Sequence, residues 1–132
     1  NLAKAMLSLP ASKGFEIGLG FAAAELSGSK HNDLFIKNGD TIDMVTNHAG
    51  GTLGGISTGQ PLLGRVAFKP TSSIRQTQKT VTTSGEETTL TLAQNAKHDP
   101  CVAIRAVPVV EAMCALVLID ALLMARMARW DS

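Results

Sequence analysis

Three short segments of this sequence carry residue types that could bind an anion or move a proton. The first, residues 47–59, reads Asn-His-Ala-Gly-Gly-Thr-Leu-Gly-Gly-Ile-Ser-Thr-Gly, and its glycines are dense enough for successive backbone N–H groups to point at one anion. It matches neither the GxGxxG pattern nor a Walker loop, so nucleotide binding does not follow from it. A glycine-rich tight turn between two strands explains the segment equally well.

The second segment is Lys-Pro-Thr-Ser-Ser at residues 69–73, directly after a predicted strand. A lysine, three hydroxyl side chains and free backbone donors after a rigid proline could hold a phosphate or the polar edge of a flavin, because charge-assisted hydrogen bonds are the strong ones. A solvated turn whose end is capped by a hydroxyl side chain is the alternative.

The third segment is centred on Asp99, which lies between His98 and Pro100. Helical backbone geometry is disfavoured for a residue that precedes proline, so the Asp99 carboxylate can project from a turn beside His98. The pair could serve as acid and base, although an Asp-Pro turn without catalysis is the commoner case. Arg105 and Glu111 are expected to be structural partners at the entrance of the next helix.

Hydrophobic periodicity predicts the elements that position the first of these segments. Residues 2–9 read as the end of a helix that Pro10 stops, and strict alternation from Phe15 to Phe21 predicts a half-buried strand. The polar, turn-rich run from Ser27 to Asp43 predicts a mobile loop that could act as a lid. His31 in that loop is expected to be a solvated side chain.

The elements around the other two segments are strands and one long helix. Leu62–Phe68 should be a strand, and residues 79–82 and 88–92 should be hairpin arms around Ser84-Gly85, because they are rich in threonine. The last helix is predicted from Val107 to Trp130, with Pro108 in its first turn, where a missing N–H costs nothing.

That last helix is apolar nearly all round, because only Glu111 and Asp120 interrupt the run to Ala125 and they lie on opposite faces. It is therefore expected to be mostly buried in the core of a domain or an oligomer. A transmembrane span is the alternative, since the run approaches 20 residues, but two acidic residues on opposing faces and a proline argue against it.

Length and composition limit the classes of protein to which this chain can belong. The chain has 132 residues, 45% hydrophobic and 17% charged, which is enough to bury one core as a single domain or part of one. Twelve basic and eleven acidic residues with 4% aromatic content give no support for a nucleic-acid surface. Cys101 and Cys114 lack a zinc-ligand spacing, so reduced thiols in a cytoplasmic protein and no metal site are expected. The start at Asn1 predicts a piece of a longer protein.

Taken in order, these segments resemble the C-terminal portion of the chorismate synthase family. The resemblance rests on KGFEIGLGF, SGSKHND, TNHAGGTLGGISTGQP, FKPTSSI, and HDPCVAIRAVPVVEAM running on to ALVLIDALL, and it extends from near residue 1 to about Arg129. It implies an α+β chain forming the C-terminal part of a β-α-β sandwich, in which antiparallel strands pack with a long buried helix. Residues 1–132 would then be one fragment of that domain.

The resemblance also implies an activity, a cofactor and partners. The family binds reduced FMN, which an NADPH-dependent or other flavin reductase supplies, and assembles as a homotetramer. It removes phosphate and a proton from 5-enolpyruvylshikimate-3-phosphate in a 1,4-elimination that gives chorismate in the shikimate pathway, with no net redox change. No nucleic-acid or membrane partner is implied, and the fragment itself could dimerise to cover its unpaired edges.

Carried over residue by residue, the resemblance implies one catalytic position and nine FMN contacts. Asp99 matches the aspartate near the flavin ring, where it helps the flavin or the substrate exchange a proton. The positions implied to contact FMN are Pro10, Ala11, Gly54, Lys69, Pro70, Thr71, Ser72, Ser73 and Lys97.

Two departures from the family pattern qualify the implied activity. Ala96-Lys97 stands where the family usually has Gly-Arg, so a single point charge replaces the guanidinium fork. The family's N-terminal histidine and its phosphate-binding arginines are not in this sequence, so residues 1–132 are expected to be inactive alone. A non-catalytic flavin- or phosphate-binding module and an oligomerisation domain built on the apolar helix remain the alternatives.

Overall fold

The computed structural model describes residues 1–93 and 95–129, which form three α-helices, a 3₁₀ helix and four antiparallel strand pairs. In chain order the elements are α1 (Leu2–Leu7), β1 (Ser12–Ile17), the 3₁₀ helix (Gly20–Glu25), α2 (Gly28–His31), β2 (Phe35–Asn38), β3 (Thr41–Met44), β4 (Thr52–Leu53), β5 (Ile56–Ser57), β6 (Gly64–Phe68), β7 (Gln78–Val81), β8 (Glu87–Leu90) and α3 (Val102–Met127). The pairs are β1 with β6, β2 with β3, β4 with β5, and β7 with β8. The predicted mixture of helix and antiparallel strand is therefore confirmed.

The best-packed part of the described chain lies where α1, the β1–β6 pair and one side of α3 meet. Met6, Leu9 and Ala106 are the buried hydrophobic residues of the described chain, and Met6 is the one that is fully buried. Strand β1 pairs with β6 from Ser12 opposite Phe68 to Ile17 opposite Gly64, so the strand predicted at Leu62–Phe68 is confirmed from Gly64 onward. This pairing is what brings the segment after Phe68 beside the segment before Ser12.

Strand β1 ends earlier than its alternating pattern predicts. Gly18 and Gly20 have φ values of +55° and +58°, a left-handed conformation that breaks the strand, and the chain continues into the 3₁₀ helix. Phe21, predicted to be the last inward residue, is 81% exposed. The prediction was wrong here because alternation does not register the backbone turn that the glycines permit.

The segment from Ser27 to Asp43 is not a loop without regular structure. It contains α2 and then the β2–β3 hairpin, in which Phe35 pairs with Met44 and Asn38 with Thr41. Gly39, with φ of +61°, makes the turn. Polar composition hid the hairpin, because all four β2 residues are exposed and leave no alternating apolar pattern to detect.

The hairpin predicted around Ser84-Gly85 is confirmed, with arms that begin one residue earlier than expected. Strand β7 pairs with β8 so that Lys79 lies opposite Thr89, and Gly85 takes a φ of +89° in the turn. The N-terminal helix is also confirmed, since α1 ends at Leu7 before Pro10.

Helix α3 begins at Val102 rather than Val107, so Pro108 lies inside the helix and not in its first turn. A proline there fits the helical φ but leaves the carbonyl of Ile104 without its N–H partner. Trp130, the predicted last residue, lies outside the described residues. Helix α3 ends at Met127 as described.

The prediction that this helix is mostly buried is wrong for the described chain. Ala106 is the buried residue of α3, and Leu116, Leu122 and Met124 are 63%, 46% and 62% exposed. Too few other elements are present to cover it, since the described chain packs only α1 and the β1–β6 region against one side. Within the described residues, α3 alone is long and apolar enough to span a bilayer, a criterion that the central helix of a larger protein core also meets.

Candidate functional site

A cavity of about 670 Å³ lies between the segment that follows β6 and the segment that precedes α3. The described residues of both segments lie outside the helices and strands, so the positions of their side chains depend on the elements at the ends of each segment. The polar residues that line the cavity include Thr71, Ser73, Arg75, Lys97, His98 and Asp99. Five of the residues singled out in the sequence, Thr71, Ser73, Lys97, His98 and Asp99, are therefore brought to one place. A volume of this size suits a small-molecule ligand.

The carboxylate of Asp99 has a defined partner. Its Oδ2 lies 3.3 Å from Nη1 of Arg105, in the first turn of α3, and the Asp99 side chain remains 44% exposed. Arg105 is therefore a structural residue at the helix entrance, and its partner among the described residues is Asp99 rather than Glu111. The pair fixes the direction of Asp99 while leaving the carboxylate accessible from the cavity.

Two more of the predicted positions adjoin each other at the start of β1. The backbone N–H of Lys69 donates to the carbonyl of Ala11 at 2.9 Å, continuing the β1–β6 pairing past Phe68. Ala11 has φ of +65°, the one positive value among the described non-glycine residues. Such a conformation costs an alanine roughly 1 kcal/mol, and strain of this kind is concentrated at functional sites. Pro10, Ala11, Lys69 and Pro70 therefore form a second group beside the cavity segment.

Gly54 lies apart from both groups. It sits with Gly55 at the tip of the β4–β5 hairpin, and the two glycines have φ values of +57° and +84°. Two positive φ values are those of the two-residue type I′ turn, so the tight-turn interpretation describes this part of the glycine-rich segment. An added Cβ at Gly54 would meet nothing within 4 Å. Ser72 also lies outside the residues that line the cavity.

Sequence reasoning missed Asp33, which lies between α2 and β2. Its side chain is 1% exposed and accepts hydrogen bonds from Thr46 Oγ1 at 2.5 Å, from His48 N at 2.7 Å and from Ala49 N at 3.0 Å. Its donors lie beyond the β2–β3 hairpin, so no local pattern could have found them. Asp33 ties the end of α2 to the glycine-rich segment.

Burial alone would raise the pKa of Asp33, but the hydrogen bonds from Thr46, Ala49 and His48, with the charge of His48 when protonated, outweigh it and lower the pKa. The carboxylate is therefore held ionised. His48 is held in turn, since its Nδ1 lies 3.1 Å from the carbonyl of His31. His31 is part of this cluster rather than a freely solvated side chain, because its ring centroid lies 6.0 Å from that of His48.

The described residues contain no group of three His, Cys, Asp or Glu side chains placed to hold a metal ion. Cys101 and Cys114 are both free thiols. The chemistry that the cavity offers is instead that of cations and hydroxyl donors facing one accessible carboxylate. Such a set can bind an anionic group and exchange a proton near it.

Comparison with known proteins confirms the family resemblance that the sequence indicated. A family model described as chorismate synthase matches residues 1–123. The chain is 64% identical over 126 residues to a chorismate synthase of Protochlamydia amoebophila, covering 96% of this chain and 34% of that protein. For chorismate synthases of Microcystis aeruginosa and Nostoc punctiforme, the identities are 61% and 60% over 124 residues, covering 93% of this chain in each case and 33% and 34% of those proteins.

A solved structure described as "Crystal Structure of Chorismate Synthase" is 47% identical, with a TM-score of 0.49, and the match covers 52% of this chain and 21% of that one. The chain spans about a third of the length of the curated relatives it matches.

Proposed function

Because the chain belongs to the chorismate synthase family, we propose that it supplies one wall of the FMN site of a chorismate synthase. The protein that contains this wall eliminates phosphate and a ring proton from 5-enolpyruvylshikimate-3-phosphate to give chorismate, a step of aromatic amino-acid biosynthesis. The observation that supports this best is the cavity that gathers Thr71, Ser73, Lys97 and Asp99 from two separate segments. Its donors suit the phosphate and polar edge of FMN.

Reduced FMN, if bound here, would supply electron density for breaking the allylic C–O bond, in an elimination that leaves the oxidation state of the flavin unchanged. The protein residues bind, orient and exchange protons. Lys97 and the hydroxyls of Thr71 and Ser73 hold anionic and polar groups by charge-assisted hydrogen bonds. Asp99, whose carboxylate lies 3.3 Å from Arg105, would exchange a proton with the flavin or the substrate. The phosphate leaves with the electrons of the C–O bond, so no net oxidation results.

The other positions expected to contact FMN belong to the rim of this wall. Pro10 and Ala11 lie beside the segment that begins at Lys69, because the backbone N–H of Lys69 donates a hydrogen bond to the carbonyl of Ala11. Gly54 would contact the flavin from a separate hairpin, whose open space at the tip leaves room for a ligand. The reducing equivalents come from an NADPH-dependent or other flavin reductase in the cytoplasm, and the complete enzyme is a homotetramer.

Substitution of Asp99 tests its proton-transfer role. In the protein as its host expresses it, Asp99→Asn should lower turnover at least tenfold with reduced FMN under anaerobic conditions, because the amide cannot exchange the proton. The readout is chorismate formation from 5-enolpyruvylshikimate-3-phosphate. Asp40→Asn, in the exposed β2–β3 turn, is the matched control and should leave turnover unchanged. Wild-type turnover by Asp99→Asn would contradict the proposed role.

A non-catalytic flavin- or phosphate-binding protein is the second candidate, and Lys97 is the observation that favours it. A lysine gives one point charge where a guanidinium could give two parallel hydrogen bonds. Flavin titration and turnover should be compared between the wild type and Lys97→Arg. Tight FMN binding by both, with chorismate formation by neither, would support the non-catalytic candidate.

A further inference from the structure

Arg75 lines the same cavity as Lys97 and Asp99, although neither its sequence context nor the family resemblance gave it a role. We propose that Arg75 is a second phosphate-binding residue of this cavity, one that holds the phosphate of a phosphomonoester ligand through its guanidinium. The inference rests on the proposed function and deepens it, because it names the chemical group that this wall recognises.

The first argument is that three residues of one short segment line the cavity together. Residues 71–77 lie outside the helices and strands, between β6 and β7. Thr71, Ser73 and Arg75 all line the cavity, whereas Ser72 and Ile74 do not. Two hydroxyl donors and a guanidinium are thereby presented together from one short segment.

The second argument is the balance of charge in the cavity. Asp99 is the only carboxylate among the described residues that line it, and Arg105 lies 3.3 Å from that carboxylate. The ion pairs in residues 1–93 and 95–129 join Arg105 with Asp99, Arg65 with Glu16, and His48 with Asp33. Arg75 and Lys97 are in none of them. Two cations therefore remain to attract an anion.

The third argument is the difference between the two cations. The guanidinium of Arg75 offers donors in a planar fork that matches two phosphate oxygens, whereas Lys97 offers a compact point charge. Arg75 can thus supply, from the opposite segment, the bidentate contact that a lysine at position 97 cannot make. The phosphate belongs either to FMN or to 5-enolpyruvylshikimate-3-phosphate, and these two sources can be separated by titration.

The test measures the affinity of the protein, as its host expresses it, for FMN, riboflavin and 5-enolpyruvylshikimate-3-phosphate. Arg75→Gln should weaken binding of the phosphate-bearing ligand that occupies the cavity at least tenfold and leave riboflavin binding unchanged. Arg75→Lys should weaken this binding less than Arg75→Gln does, because lysine keeps the positive charge although it lacks the planar guanidinium fork. Arg126→Gln, in the last turn of α3, is the matched control and should change none of the affinities.

Unchanged affinity of Arg75→Gln for both phosphate-bearing ligands would overturn the inference and leave the proposed function standing. An equal loss for FMN and riboflavin would also overturn it, because riboflavin has no phosphate. If the wild type binds neither FMN nor the substrate, the proposed function fails. The inference about Arg75 is then tested with inorganic phosphate as the ligand. Phosphate should then raise the melting temperature of the wild type but not that of Arg75→Gln. No rise in the wild type, or an equal rise in the variant, would overturn the inference.

Discussion

The carboxylate of Asp33 holds residues 46–49 in place, although no local sequence pattern predicts the structure of that segment. Three donors from residues 46–49 surround it, and its side chain is 1% exposed. Removing one partner from a buried, charged hydrogen-bond network costs more than the same change at the surface, since the remaining polar groups stay unpaired. The path of the chain into Gly50 and the β4–β5 hairpin therefore depends on Asp33.

The lowered pKa of Asp33 predicts a defined pH dependence. Because its folded-state pKa is below the unfolded value, Asp33 stabilises the fold above about pH 4 and loses that contribution as the pH falls through the folded-state pKa. Asp33→Asn should lower the free energy of unfolding at pH 7 by about 2–4 kcal/mol. When the pH is lowered from 7 into acid, the free energy of unfolding should fall less for this variant than for the wild type. Urea unfolding at several pH values measures both effects.

Asp40→Asn is the control for this experiment, because Asp40 lies in the exposed turn between β2 and β3. It should reproduce the wild-type curve within about 0.5 kcal/mol at every pH. If Asp33→Asn and Asp40→Asn had the same pH dependence, the buried carboxylate would have no special role.

At this scale the sequence reveals residue type but not partnership. Thr71, Ser73, Lys97 and Asp99 were recognisable from their types and from the family resemblance, and the cavity gathers them. Arg75 and Asp33 were not, because the role of each depends on groups distant in sequence. For Asp33 the donors lie beyond a hairpin, and for Arg75 the facing residues are those just before α3.

Glycines decide where the N-terminal elements begin and end. Gly18 N donates to Leu63 O, and Leu19 N donates to His48 O, both at 2.9 Å, so the end of β1 is held against the glycine-rich segment. Gly18 and Gly50 pack backbone to backbone, and a Cβ added to either would overlap the other segment. The strand break that the alternating pattern did not predict is thus a close approach that only glycine allows.

Alanine substitution separates this close approach from ordinary glycine flexibility. Gly50→Ala should lower the free energy of unfolding by at least about 2 kcal/mol, because φ of +74° strains an alanine and its Cβ would overlap Gly18. Gly28→Ala, in α2 with open space around it, should be neutral or stabilise by up to about 1 kcal/mol. Urea unfolding checks both, and equal effects would contradict the packing described.

Elements with a strong local signal were predicted well and those shaped by tertiary contacts were not. The β7–β8 hairpin follows from threonine-rich arms around Ser84-Gly85, and β6 follows from its apolar run. The start of α3 at Val102 was missed because Pro108 suggested a first turn, although the helix accommodates a proline in its interior.

The molecule as a whole exposes more apolar surface than a self-sufficient domain does. Three hydrophobic residues are buried among those described, while α3 presents a long apolar surface. An exposed apolar surface of this extent marks a contact with protein or membrane. The chain spans about a third of the length of its relatives, and we propose that protein, from the remainder of such an enzyme and its partner subunits, covers α3.

A charge placed on this surface tests that coverage. In the protein as its host expresses it, Leu116→Glu should lower the melting temperature and reduce the assembled mass, because the carboxylate would be buried against protein. Leu90→Glu, on the exposed β8 strand, is the matched control and should change neither. Light scattering and thermal unfolding supply the measurements. Equal behaviour of the two variants, or recovery of the wild type only from membranes, would contradict the proposal.

The most direct test of the central claim is chorismate formation by a chimera. Residues 1–132 would replace the matching third of the Protochlamydia amoebophila chorismate synthase, to which the chain is 64% identical over 126 residues. If these residues form one wall of the FMN site, the chimera should convert 5-enolpyruvylshikimate-3-phosphate to chorismate with reduced FMN within about tenfold of the parent rate. A chimera that melts at the parent temperature but forms no chorismate would contradict the account.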